Sequence, residues 1–187
     1  MMSMEKGQTE ADLDFVRHSV LNSLRMYRTT YVEEYGELVI CCDDVNSWRR
    51  EYFPLYKAGR KTTRAASPLN WSQIFECFDT IKTELKTIFP YKFIQVPKAE
   101  ADDIIGTIAK QAEKDGYTTY MVTSDKDFAQ LVSKNVFMYR PARMGNGIEI
   151  WGIEEVKEKF EITDPIQVID YLGMMGAVSY THLRAHE

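Results

Sequence analysis

The order of apolar and polar positions along the chain predicts helices separated by short strands. Apolar residues recur at helical spacing between positions 15 and 27, whereas residues 38–42 form one continuous apolar run that is typical of a strand buried on both faces. An amphipathic helix follows at residues 71–88, with Asn70 as its predicted N-cap and Gln73 three residues later. The first half of the chain therefore predicts a helix, a strand and a second helix.

The second half of the chain continues this alternation. Further strands are predicted at residues 93–96, 118–123, 136–139 and 148–151. Helices are predicted at residues 99–115, 127–132, 153–160 and 165–175, the first of them with a Gly116 C-cap. Strands that alternate with helices predict an α/β fold with a mostly parallel central sheet flanked by helices on both faces.

Acidic residues gather where the predicted strands end or the next helices begin. In chain order they are Asp43, Asp44, Glu100, Asp102, Asp103, Asp125 and Asp127. Ligands of parallel sheets bind beyond the carboxyl ends of the strands, so these residues are expected to converge there although they lie far apart in sequence.

The chemistry of these carboxylates favours a metal site. Carboxylates without Cys or His among them suit hard cations, here Mg²⁺ or Mn²⁺, and a pair of such ions can promote phosphodiester hydrolysis. We interpret Asp103 as a supporting carboxylate and Asp44 as a solvated neighbour. Helix capping is the better explanation for any single member. It explains all the clusters together less well, because like charges without cations repel one another.

A basic and aromatic segment, residues 48–64, follows the first acidic pair. It holds six basic residues against one acid, with four aromatic residues among them. Cations neutralise phosphates and aromatic rings stack on bases, so the segment predicts a nucleic-acid contact. The residues expected to make this contact are Arg49, Arg50, Tyr56, Lys57, Arg60, Lys61 and Arg64. Lys57 or Arg60 could also reach a scissile phosphate and offset its charge.

The same segment has a less specific interpretation. Gly59 and the pair Thr62-Thr63 favour a mobile connection. A solvated loop whose aromatic residues enter the core would show the same composition. The position of the basic segment directly after Asp43 favours the nucleic-acid interpretation.

Composition limits the classes of protein that remain. The chain has 187 residues, 44% of them hydrophobic and 27% charged, which suits one globular domain with a sizeable core. The net charge of −5 argues against a surface that is basic throughout, but allows a local basic track. Cys41, Cys42 and Cys77 have no metal-type or paired spacing, which indicates a reducing, cytoplasmic compartment. No membrane span or signal peptide is predicted.

With these residues in hand, the chain resembles the 5′ nuclease superfamily of flap endonucleases and 5′–3′ exonucleases. The matching features run in order from about Phe15 to Gly176. They are Val16-Arg17-His18, Leu21-Asn22-Ser23, the run ending at Asp43, Trp48-Arg49-Arg50, Tyr56-Lys57-Ala58-Gly59-Arg60, Glu100-Ala101-Asp102-Asp103, Ser124-Asp125-Lys126-Asp127-Phe128 and Tyr171-Leu172-Gly173. The acidic motifs and the Tyr-Lys-x-x-Arg element are specific in combination.

The resemblance implies a resolvase-like or PIN-like domain that holds Mg²⁺ or Mn²⁺ in a two-metal site. The ligands that it implies, directly or through water, are Asp43, Glu100, Asp102, Asp125 and Asp127, with Asp103 in support. Lys57 and Arg60 match basic residues at the base of an arch, here residues 48–68, through which a 5′ strand passes.

The resemblance also implies substrates and partners. The family cuts flaps, nicked duplexes or RNA primers and leaves a 5′-phosphate. The implied substrates are branched or nicked DNA and RNA–DNA hybrids with a 5′ end. The implied partners are single-strand-binding protein and the replication machinery. We expect a monomer that is not associated with a membrane.

Two departures from the family pattern set the expected boundaries. The family begins with a strand that ends in Asp, and residues 1–14 contain no such strand, so a ragged segment and a missing metal ligand are expected there. The catalytic domain is expected at residues 15–176. Residues 177–187 lack the family's Asp-rich and hairpin segments and are interpreted as a non-native tail, so the spacing of His182 and His186 is given little weight. A chain truncated in this way is expected to be weakly active or inactive.

Two other functions stay open at this point. Asp125-Lys126-Asp127 also fits a Toprim-like carboxylate-metal enzyme, although that leaves Asp43 and Tyr56-Lys57 unexplained. A non-catalytic DNA-binding module of replication would need only the basic segment. Metal binding that depends on Asp125 and Asp127 would separate the enzymes from the binding module.

Overall fold

A computed structural model of the chain describes residues 12–142, 145 and 147–175. The chain divides into two compact units, Met1–Ala99 and Glu100–Glu187. The predicted tail with His182 and His186 lies outside the described residues, as do residues 1–11. Within the described ranges, no helix is long and apolar enough to cross a membrane.

The first unit contains four helices and two strands within its described residues. They are α1 (Leu13–Tyr35), β1 (Val39–Cys42), α2 (Arg49–Tyr52), α3 (Gly59–Ala65), α4 (Trp71–Thr87) and β2 (Lys92–Gln95). The predicted cap of α4 is confirmed, because the Asn70 side chain accepts a hydrogen bond from the Gln73 N–H at 3.3 Å. One face of α4 buries Ile74, Ile81 and Leu85.

The long helix α1 packs against α4. Arg17 donates two hydrogen bonds of 3.0 Å to the Glu84 carboxylate and so ties the two helices together. The apolar pattern ended near residue 27, but α1 continues to Tyr35. Tyr27, Tyr31 and Tyr35 lie one turn apart, with ring centroids 6.4 and 5.7 Å apart, and their contacts extend the helix where the aliphatic pattern stops.

Strands β1 and β2 pair in parallel. Their register sets Val39 opposite Lys92 and Cys42 opposite Gln95, so both strands end at the same level. Asp43 therefore begins the loop at the carboxyl edge of this two-stranded sheet, as the sequence predicted.

The second unit is built around a three-stranded sheet. Its elements are α5 (Ala101–Lys114), β3 (Thr119–Val122), a 3-10 helix (Lys126–Leu131), β4 (Val136–Arg140), β5 (Glu149–Trp151), α6 (Ile153–Phe160), a second 3-10 helix (Pro165–Gln167) and α7 (Val168–Met175). β3 and β4 are parallel, and β5 is antiparallel to β4. The largest fully buried side chains are Met138, Val136, Val156 and Val168.

The α/β class and the parallel pairing are confirmed, and the described strands form two hydrogen-bonded sheets. The predicted mobile connection at Gly59 is wrong, because residues 59–65 form α3. This helix is held by its last basic residue: the Arg64 guanidinium lies 4.9 Å from the Phe75 ring centroid and 5.7 Å from that of Trp71. The short helix predicted at residues 127–132 is a 3-10 helix.

Candidate active site

The loop after β1 carries two carboxylates with different environments. Asp43 is exposed, and its carbonyl oxygen accepts a hydrogen bond from the Gln95 side chain at 3.2 Å. The Asp44 carboxylate accepts a hydrogen bond from the Lys98 N–H at 2.8 Å, and the Asp44 N–H donates to the Ala99 carbonyl at 3.0 Å. This Lys98 bond lowers the pKa of Asp44. The Asp44 carboxylate is thus partly exposed, as expected of a solvated neighbour, and is also bonded to the turn after β2.

The first turn of α5 holds three of the predicted metal ligands. Glu100 is the N-cap residue and is buried, with 6% of its surface exposed. Asp103 accepts a hydrogen bond from the Glu100 N–H at 3.0 Å and completes a capping box. Asp102, in the same turn, is exposed. The capping alternative is thus confirmed for Asp103.

The loop after β3 brings Asp125 and Asp127 together. The Asp125 N–H donates to the Thr123 hydroxyl at 3.0 Å, and the Asp125 carboxylate accepts from the Asp127 N–H at 3.1 Å, capping the 3-10 helix. Partial burial raises the pKa of Asp127, and the neighbouring Asp125 charge raises it further. A cation held between these carboxylates would relieve that repulsion.

Two properties decide whether the acidic residues fit a metal ion: the type of their donor atoms and how many of them lie close together. Their donors are all carboxylate oxygens, which suit a hard divalent cation. Among the residues that the structure describes, however, no three His, Cys, Asp or Glu side chains gather into a group that could hold a metal ion. The two-metal ligand set therefore stays a prediction from the sequence.

The basic segment after β1 is ordered by contacts between its cations and its rings. The Arg49 guanidinium lies 4.7 Å from the Trp48 ring centroid and 5.9 Å from that of Tyr56. The Lys57 ammonium lies 4.9 Å from the Tyr56 centroid, and the Trp48 and Tyr52 rings meet edge to face. These contacts hold a cationic and aromatic surface in the first unit.

Exposure of this segment agrees with a ligand-binding surface. Arg50, Arg60, Lys61 and Arg64 are exposed, and Tyr52 is 82% exposed. Lys57 is half-buried and has a left-handed backbone with φ of 55°. The alternative in which the aromatic residues enter the core is wrong for Tyr52 and Phe53, which both lie at the surface.

Sequence reasoning missed Lys98, which contacts both the acidic loop and the basic segment. Its carbonyl accepts a hydrogen bond from the Trp48 N–H at 2.9 Å, and its ammonium lies 2.6 Å from a Glu51 carboxylate oxygen. The only feature near Lys98 that the sequence analysis could use was Pro97, which marked the end of the predicted strand.

Comparison with known proteins gives the chain a family. Residues 5–161 match the family of the 5′-3′ exonuclease N-terminal resolvase-like domain. Ribonuclease H of Enterobacteria phage T4 is 34% identical over 123 residues, which cover 64% of this chain and 40% of that protein. DNA polymerase I of Bacillus subtilis is 35% identical over 130 residues, which cover 70% of this chain and 14% of that protein. The chain thus spans well under half the length of these relatives.

A solved structure agrees at the level of the fold. The flap endonuclease of bacteriophage T5, crystallised in a complex with DNA and metal ions, superposes with a TM-score of 0.71. The match covers 88% of this chain and 60% of that chain at 18% identity. The family match and the sequence relatives confirm the resemblance proposed from the acidic motifs and the Tyr-Lys-x-x-Arg element. The chain belongs to the 5′-3′ exonuclease family, as its N-terminal resolvase-like domain.

Proposed function

We propose that this chain is the catalytic α/β part of a 5′ nuclease that hydrolyses phosphodiester bonds in flaps, nicked duplexes or RNA primers with the help of divalent cations. The observation that carries the proposal is the repeated placement of carboxylates after parallel strands. Asp43 follows β1 directly, and Asp125 lies three residues after the end of β3, each at the carboxyl end of a parallel strand of its own sheet. The carboxyl ends of parallel strands are where open α/β sheets bind their ligands.

The metal ligands that we propose are Asp43, Glu100, Asp102, Asp125 and Asp127, with Asp103 in support. Bound Mg²⁺ or Mn²⁺ would supply an activated water and charge stabilisation at the leaving oxygen. The chain's own residues fix these carboxylates: the Thr123 hydroxyl holds the Asp125 backbone, and the capping box holds Glu100 and Asp103. A flap endonuclease solved with metal ions and DNA supports both ligands for this fold.

The basic segment would bind the nucleic acid. Lys57 and Arg60 would lie near the scissile phosphate and offset its charge, since fixed cations stabilise charge that develops during phosphoryl transfer. The further contacts would come from Arg49, Arg50, Tyr56, Lys61 and Arg64. Exposed cations neutralise phosphates without reading sequence, so selectivity would rest on the 5′ end and the branch.

The biological setting follows from this chemistry. The substrates would be branched or nicked DNA, or RNA–DNA hybrids, that arise during replication. Single-strand-binding protein and the replication machinery would be partners, and the enzyme would act as a monomer in the cytoplasm, or in the host cytoplasm if a phage encodes it.

Cleavage of a labelled 5′-flap DNA with Mg²⁺ or Mn²⁺ tests the proposal. Asp125→Asn keeps an oxygen that can accept the Asp127 N–H, so it removes charge while leaving the cap of the 3-10 helix in place. We expect this variant to lose at least about 100-fold in rate, beyond the effect of changes around a metal site. Asp170→Asn, an exposed position on α7, is the matched control and should cleave normally.

Two outcomes would overturn the proposal. If EDTA leaves cleavage unchanged, divalent metal plays no part in it. If the chain binds flap DNA with a salt-dependent affinity and neither that affinity nor any Mn²⁺ binding changes in Asp125→Asn, it is a DNA-binding module, because weak cleavage alone is already expected of the truncated chain. The exposed cations of the basic segment are the observation that favours the DNA-binding module as a second candidate.

A further inference from the structure

The loop after β1 and the turn after β2 are joined by a set of hydrogen bonds. We call it the Asp44–Lys98 clamp. The Asp44 carboxylate accepts from the Lys98 N–H at 2.8 Å, while the Asp44 N–H donates to the Ala99 carbonyl at 3.0 Å. The Trp48 N–H donates to the Lys98 carbonyl at 2.9 Å. The backbone of two consecutive residues, Lys98 and Ala99, thus holds both ends of the loop that starts at Asp43.

The conformation of Lys98 fits this role. Its φ of 64° lies in the left-handed region, which non-glycine residues rarely adopt without support from their surroundings. In this conformation Lys98 bonds Asp44 through its N–H and Trp48 through its carbonyl. The side chain adds a third contact, because its ammonium lies 2.6 Å from the Glu51 carboxylate on α2. Glu51 is the one acid of the basic segment. Because Glu51 pairs with Lys98, its negative charge neutralises less of the positive charge of the nearby arginines.

We infer that Asp44 and Lys98 are positioning residues of the proposed nuclease site: Asp44 fixes the loop that presents Asp43, and Lys98 fixes α2 and its basic surface. The inference rests on the proposed function. It assigns the positioning of Asp43 and the positioning of α2 to different atoms. The Asp44 oxygen and the Lys98 backbone act on the metal side through Asp43, whereas the Lys98 ammonium acts on the substrate side through Glu51.

The main alternative is that Asp44 binds metal itself. The sequence cannot separate the two, since Asp43 and Asp44 are adjacent carboxylates. Their contacts differ, because an Asp44 oxygen is engaged by a backbone N–H at 2.8 Å. A positioning role needs an acceptor oxygen, which asparagine retains, whereas a metal ligand needs the negative charge.

Amide hydrogen exchange measured by NMR tests the clamp without any activity. In the wild-type chain the amides of Asp44, Trp48 and Lys98 should be protected, because each donates a hydrogen bond. Asp44→Ala should speed exchange of the Lys98 amide several-fold, and Asp44→Asn should restore most of the protection. Unchanged exchange in Asp44→Ala would overturn the clamp.

Metal response then tests what the clamp does. Added Mn²⁺ should broaden the Asp43 amide signal, and Asp44→Ala should raise the Mn²⁺ concentration needed by about tenfold, as expected for a residue that orients a metal ligand. Asp44→Asn should recover most of this loss. Equal damage from Asn and Ala would make Asp44 a ligand and would overturn the positioning role. Asp79→Ala, at an exposed position of α4, is the matched control.

Flap cleavage separates the two halves of the clamp. Lys98→Asn keeps a residue that tolerates a left-handed backbone but removes the ammonium, so KM for the flap should rise while kcat and the metal midpoint stay near wild type. Asp44→Ala should lower kcat. If both variants change the same parameter, the assignment to separate atoms is wrong. If the wild-type chain shows neither Mn²⁺ broadening nor cleavage, the proposed function itself fails.

Discussion

Replacing Asp103 by alanine tests whether this carboxylate acts as a helix cap independently of any metal. Its oxygen accepts the Glu100 N–H at 3.0 Å at the start of α5. Loss of such an acceptor destabilises a helix by about 0.5–2 kcal/mol. Loss of a negative charge in the first turn removes a further ~0.3–1 kcal/mol of dipole interaction. Together these give about 1–3 kcal/mol.

The assay is thermal and urea unfolding in EDTA, followed by far-UV circular dichroism, so that bound metal contributes nothing. For a chain of this size the expected loss corresponds to a Tm lower by about 3–9 °C. Asp103→Asn can keep the acceptor and removes only the charge, so it should lose about 0.3–1 kcal/mol. Wild-type stability of Asp103→Ala in EDTA would refute the capping argument and leave metal support as the function of this residue.

Two further predictions concern packing and thiol chemistry. Val156 is fully buried, so Val156→Ala should reduce the free energy of unfolding in urea by about 2 kcal/mol. Ile169→Ala, at a half-exposed position, should change the free energy of unfolding by no more than about 0.5 kcal/mol. Equal effects of the two changes would contradict the assigned core. Burial raises the pKa of the Cys41 and Cys42 thiols, so the stability that these neutral thiols contribute should fall as pH rises through their raised pKa values. Their alkylation at mildly alkaline pH should be slower in the folded chain than in urea, and equal rates would contradict this.

Patterns of adjacent residues predicted much of the fold. The helix α4 and its Asn70 cap follow from spacing and from one polar side chain, and both are local properties. The six-residue helix after Asp125 is too short for its period to distinguish 3-10 from α geometry. The helix α3 depends on Arg64 contacting rings on α4, which no local pattern reveals.

The candidate site also has features that the sequence predicts and features that only the structure shows. Carboxylates at the ends of parallel strands could be predicted, because strand ends and acids are both visible in sequence. Asp43 and Asp44 have identical side chains, so only three-dimensional contacts show that Asp44 holds the turn after β2. Lys98 has no local motif at all, and its importance comes from a left-handed backbone and from residues about fifty positions earlier in the chain.

The left-handed backbone at Lys57 limits which residues evolution or design can place there. At a φ of 55°, β-branched side chains such as Val, Ile and Thr clash with the backbone, whereas Gly and Asn fit readily. If a cation is also required beside the Tyr56 ring, the acceptable set narrows to Lys and Arg. An alignment of active relatives should therefore show long unbranched cations at this position. A relative with Gly or Asn there would keep the turn but give up the charge.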